Sequence, residues 1–144
     1  MNNTGTPYKV LFDAVLSKIK DYSLGNLGED GIYNVLSELI RPAAVKFYSC
    51  RRNLSDRDDL LQQFNFELND TEIEILASLM ALEYVDSNYI RLQSALQIAI
   101  GSKDFHSSRV PDQLGRLKEI QEVFTKEVEQ KISIYSLRRS RVFI

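Results

Sequence analysis

A single cysteine, a single histidine, three prolines and six glycines are all that 144 residues contain of the types that staple, bend or chemically arm a chain. One thiol, Cys50, makes no internal disulfide, which fits a reducing compartment. One cysteine and one histidine fall short of the four nitrogen or sulfur ligands of a structural zinc site. No run approaches the roughly 18 apolar residues needed to cross a bilayer. The opening, Met1-Asn2-Asn3-Thr4-Gly5-Thr6-Pro7, lacks the basic start and apolar core of a signal peptide. These features predict a chain made and kept in a cytoplasm, with no membrane partner. Strand-like alternation is nearly absent too, so the fold class expected is all-α.

What is present is helical periodicity. Tyr8, Leu11, Phe12, Val15, Leu16 and Ile19 form one apolar stripe, with Thr6 as N-cap and Pro7 as the first turn. The glycine-bearing stretch 21–31 ends that helix. A second helix is predicted from about Asp30 to Cys50 on Ile32, Val35, Leu36, Leu39, Ile40, Ala43 and Phe47, kinked or broken at Pro42. Ser55-Asp56-Arg57-Asp58-Asp59 reads as a polar turn before a short helix through Leu60, Leu61 and Phe64. Asn69-Asp70-Thr71-Glu72 has capping-box spacing and opens a helix that is apolar on several faces, which should be the central element. Asp86-Ser87-Asn88 is read as the start of a further short helix, and 101–110 as a loop. The last helix, from Pro111-Asp112 to about Tyr135, carries a narrow stripe of Leu114, Leu117, Ile120, Phe124, Val128 and Ile132. The whole is a helical bundle of about four to six helices over residues 1–135, followed by an extended C-terminal tail, 136–144.

Net charge is −2, unevenly spread. Arg138, Arg139 and Arg141 fall in the last seven residues, leaving 15 basic against 20 acidic residues elsewhere. An acidic body argues against general nucleic-acid binding, which needs a cationic surface.

Chemistry-bearing patterns are weak. His106 lacks any local partner pattern for a nucleophile triad and reads as a solvated loop histidine. Cys50 keeps helical phase, as a small core or boundary residue does. Asp56, Asp58 and Asp59 hint at a calcium loop, but Leu61 occupies the position where the hinge glycine belongs. Gly25, Gly28 and Gly31 lack the lysine and preceding strand of a phosphate loop. Glu72 and Glu127 lack the Glu-x-x-His motifs of a di-iron bundle. An enzyme is not expected, nor a cofactor or bound metal. The tail asks for a partner instead, because Val142-Phe143-Ile144 places bare apolar residues beside arginines.

Certain runs carry a family likeness: Lys46-Phe47, Cys50-Arg51, Asn53 through Asp59, Gln63-Phe64, Leu68 through Ala77, and Ser102-Lys103-Asp104-Phe105. With Tyr8, Leu11-Phe12 and 18–21, the chain over residues 8–135 resembles small helical head–tail connector, or adaptor, proteins of tailed-phage necks. The arginine-rich ending and Pro42 depart from that pattern. The resemblance implies a ring of about a dozen copies below the portal protein, joined to tail or neck proteins. DNA would pass through the channel without sequence-specific binding. It also implies a location in the virion neck after synthesis in the host cytoplasm. On this basis Leu137, Arg138, Arg139, Arg141, Val142, Phe143 and Ile144 are the expected portal-binding segment. Arg57, Asp58 and Asp59 are candidate subunit contacts. The alternative is a small helical regulatory or inhibitor protein that binds a host or phage protein.

Overall fold

The computed structural model describes residues 5–19, 29–100 and 110–141; the side chains of 29–30, 88–100, 110–114, 117 and 138–141 are not described. His106, both glycine-bearing loops apart from their helical ends, and Val142–Ile144 therefore lie outside the described residues. Four helices form a bundle: α1 (Tyr8–Ile19), α2 (Glu29–Lys46), α3 (Asp70–Ile100) and α4 (Val110–Arg141). A two-stranded antiparallel hairpin, β1 (Arg57–Asp58) and β2 (Gln63–Phe64), sits between α2 and α3.

The stripe predicted for α1 is buried almost throughout, with Tyr8, Leu11, Phe12, Val15 and Ile19 all in the core. α2 buries Leu36, Ile40 and Ala43, and Phe47 follows one residue beyond its end. α2 stays one helix through Pro42. The proline leaves the Glu38 carbonyl without its intrahelical donor, but Glu38 is exposed and water can satisfy it.

α3 is the central element. Ile75 through Leu82, with Tyr84 and Val85, is a continuous buried run, and α1, α2 and α4 all pack on it. The cap forms as the sequence predicts: Asn69 Oδ1 accepts from the Glu72 amide at 2.8 Å, and Glu72 Oε1 accepts from the Asn69 amide at 3.0 Å. No new helix begins at 86–88. The Ser87 hydroxyl donates to the Glu83 carbonyl four residues earlier, and Asp86 accepts from Gln121 of α4, so both stay within the helix. Glu72 meets Tyr135, Glu74 meets Lys131 and Asp86 meets Gln121, so α3 and α4 form an antiparallel pair.

The short helix predicted through Leu60, Leu61 and Phe64 is instead the hairpin, with Arg57 opposite Phe64 and Asp58 opposite Gln63. Asp58 Oδ1 accepts from the amides of Leu60 and Leu61 at 2.9 and 3.0 Å, which favours a turn over a helix. Gln62 closes the tip with a φ of 55°. The N-terminal segment then adds alongside β2. Phe64 N donates to Thr6 O, Tyr8 N to Gln62 O and Thr6 N to Phe66 O. Pro7 pairs with Gln63 at the non-hydrogen-bonded position, where its missing N–H costs nothing. Thr6 accordingly does not cap α1; its hydroxyl accepts from the Leu68 amide at 2.8 Å.

Candidate functional site

Three features of the described surface and its supports bear on function: a buried polar junction, the end of α4, and the hairpin with the cavity beside it. The junction begins at the α3 cap. Glu72 is 2% exposed, and while its Oε1 closes the cap, Oε2 accepts from the Tyr135 hydroxyl at 2.8 Å. The Cys50 thiol reaches the same oxygen at 3.6 Å. The Tyr135 hydroxyl in turn accepts from the Arg51 amide at 2.9 Å, and the Arg51 guanidinium lies over its ring. One carboxyl thus ties the start of α3, the turn after α2 and the last turns of α4. Burial pushes the Tyr135 phenol up to about 12, and its hydrogen bond to Glu72 adds to the rise. Burial also raises the Cys50 thiol, which favours its protonated form. Cys50 is half-buried, in keeping with a boundary position.

Because Tyr135 is anchored, α4 keeps helical phase there. Val128, Ile132 and Tyr135 continue its inward stripe, and the helix runs on to Arg141. Residues 136–141, expected to be extended, are helical. The Glu72–Tyr135 bond fixes which face of α4 turns inward there. The outward face carries Ile134 and Leu137, the latter 63% exposed. Arg138, Arg139 and Arg141 follow on the same helix, and Val142, Phe143 and Ile144 lie outside the described residues.

Arg57, Asp58 and Asp59 shape the hairpin. An Arg57 guanidinium nitrogen donates to the Leu54 carbonyl at 2.9 Å, and Asp58 holds the tip amides. Asp59 Oδ1 accepts from the Tyr8 hydroxyl at 2.7 Å. Burial and that contact raise the Tyr8 phenol far above its ordinary value. Asp56 Oδ1 accepts from the Asn65 side chain, so each of the three carboxylates has a protein donor on one oxygen. What sequence reasoning missed is the tip itself. Leu60 is 95% exposed and Leu61 67%, presented outward by a turn that Asp58 rigidifies. The signal available was an aspartate two residues before a leucine pair, which is Asx-turn spacing.

Beside the hairpin, at the end of α2, lies an open cavity of about 290 Å3 walled by Arg41, Arg52, Arg57, Val45 and Tyr48. Val45 and Tyr48 are exposed. Among the described residues no group of three or more His, Cys, Asp or Glu is placed to hold a metal ion, and no helix is long and apolar enough to cross a membrane.

No protein-family model, curated protein or solved structure matches this chain.

Proposed function

We propose that this chain is a structural subunit of the tailed-phage head–tail connector kind, docking on the portal protein and on neighbouring neck or tail proteins. The observation that carries the reading is the end of α4. It is a helix pinned on one side through Tyr135 and Glu72, with Ile134 and Leu137 facing solvent and Arg138, Arg139 and Arg141 continuing it. A helix end of that kind suits a groove with an apolar floor and acidic rim better than an added strand suits a sheet edge. The family likeness over residues 8–135 supplies the setting. In that setting copies form a ring around the DNA channel, located in the virion neck, and an acidic body lets phosphates slide rather than bind.

The test is a Leu137→Asp variant and a chain truncated after Ser136, each examined for folding and for head–tail joining in infected cells. The reading expects both variants to fold, the truncated one short only of the helical residues 137–141, and filled heads that fail to acquire tails. Normal joining by both variants would contradict it. A one-to-one complex with a cellular protein, and no copies in particles, would support an inhibitor instead.

A further inference from the structure

We propose that the hairpin tip of one copy docks into the arginine-lined cavity of a second copy of this chain. The proposal rests on the reading of the chain as an assembly subunit and names one contact through which copies meet.

The cavity at the end of α2 gathers three guanidiniums, from Arg41, Arg52 and Arg57, and no acidic residue is among the described residues that wall it. Arg41 and Arg52 are exposed, and neither enters an ion pair among the described residues. Arg52 is instead held over the Phe66 ring at 5.7 Å, which fixes its direction. Arg57 already lies 3.9 Å from Asp59 of its own chain, and the two cations outside any such pair among the described residues, Arg41 and Arg52, favour an anionic occupant. The remaining wall is apolar, with Val45 and Tyr48 at the rim. The fitting occupant therefore carries carboxylates next to large apolar side chains.

The tip has that composition in four consecutive residues, Asp58-Asp59-Leu60-Leu61. Its leucines are the most outward-facing apolar pair of the described surface, and at 95% exposure Leu60 does not occupy the cavity of its own chain. Asp58 and Asp59 each use Oδ1 internally, Asp59 for the Tyr8 hydroxyl and, at 3.9 Å, the Arg57 guanidinium of its own chain, so the second oxygen of each is the one to meet a guanidinium of another copy. Those internal bonds also preorganise the tip, and little ordering entropy remains to be lost on docking. Gln62 adds to this by donating from its side chain to the Asp59 carbonyl and accepting from Ser37 of α2.

Two variants test the contact: a cavity variant, Arg41→Glu with Arg52→Glu, and a tip variant, Leu60→Ser with Leu61→Ser. All four side chains are exposed, and circular dichroism checks that each variant folds. Self-association is followed by NMR from micromolar to millimolar chain. The wild type should show concentration-dependent shifts at the tip and at the cavity together. Each variant alone should associate about ten-fold more weakly or less. An equimolar mixture of the two should regain association, because the intact tip of the cavity variant meets the intact cavity of the tip variant. Absence of wild-type shifts at these residues at millimolar concentration, shifts confined to other surfaces, or a mixture no better than its components would overturn the proposal. Counting copies in purified particles separates the two readings. Particles that contain the chain while this contact is absent reject the interface and leave the connector reading intact. The contact in solution without copies in particles keeps the interface and rejects the connector.

Discussion

Breaking the Glu72–Tyr135 bond should weaken the fold in a way that reveals coupling between the start of α3 and the end of α4. Tyr135→Phe removes a hydroxyl that donates to Glu72 Oε2 and accepts from the Arg51 amide. A buried hydrogen bond to an acidic side chain contributes about 1.5–3 kcal/mol, and an orphaned amide adds a cost. The expected loss is about 2 kcal/mol. Glu72→Gln keeps an oxygen for the α3 cap but turns an NH2 toward the Tyr135 hydroxyl, with an expected loss of about 2 kcal/mol as well. In a chain of this size each would lower Tm by roughly 4–8 °C. If the two groups act through one bond, the double variant should lose about 2–3 kcal/mol, leaving a coupling of at least about 1 kcal/mol. Urea unfolding of the four proteins at neutral pH measures this directly. Losses that simply add, within about 0.5 kcal/mol, would refute the idea that this bond joins the two helix ends.

Other consequences are simpler. A Cβ on Gly5 would lie 2.0 Å from the Phe64 carbonyl oxygen, so Gly5→Ala should displace the N-terminal segment from β2 and cost about 2 kcal/mol or more in urea unfolding. Pro42→Ala should restore the missing bond within α2 and stabilise by about 1–3 kcal/mol, seen as a higher thermal midpoint; a lower one would mean that the bundle requires the proline. The lysines 131 and 18 hold Glu74 below the usual carboxylate range, linking α1, α3 and α4. Its contribution is therefore full above the ordinary glutamate range and disappears as pH falls through the depressed folded value. With Glu74 45% exposed, screening trims that contribution, and Glu74→Gln at neutral pH should cost only about 0.5–1 kcal/mol, less in molar salt.

Helical periodicity was enough to read α1 with its buried stripe, the central place of α3 and the reciprocal cap of Asn69 and Glu72. Each of these depends on neighbours within a turn or two of chain. The hairpin was not legible, because Leu60, Leu61 and Phe64 keep a helical spacing that a two-amide grip by Asp58 overrides. Nor was the single length of α3, since Asp86 and Ser87 look like caps until Gln121 and the Glu83 carbonyl engage them. Thr6 and Tyr135 share this cause: their decisive partners, Leu68 and Glu72, lie more than sixty residues away. The same holds for the surface. Arg57, Asp58 and Asp59 stood out as candidate contacts, but the internal bonds by which they hold the tip reach Leu54, the tip amides and Tyr8. The cavity beside it gathers Arg41, Arg52 and Arg57 through the path of the backbone after α2, which no local pattern encodes.

The most direct measurement of the central claim, that this chain is a building block held by protein contacts, is quantitative mass spectrometry of purified phage particles. The account predicts the chain at about a dozen copies per particle, in constant ratio to the portal protein. Particles free of it, with the chain recovered only from the infected-cell extract, would contradict the account.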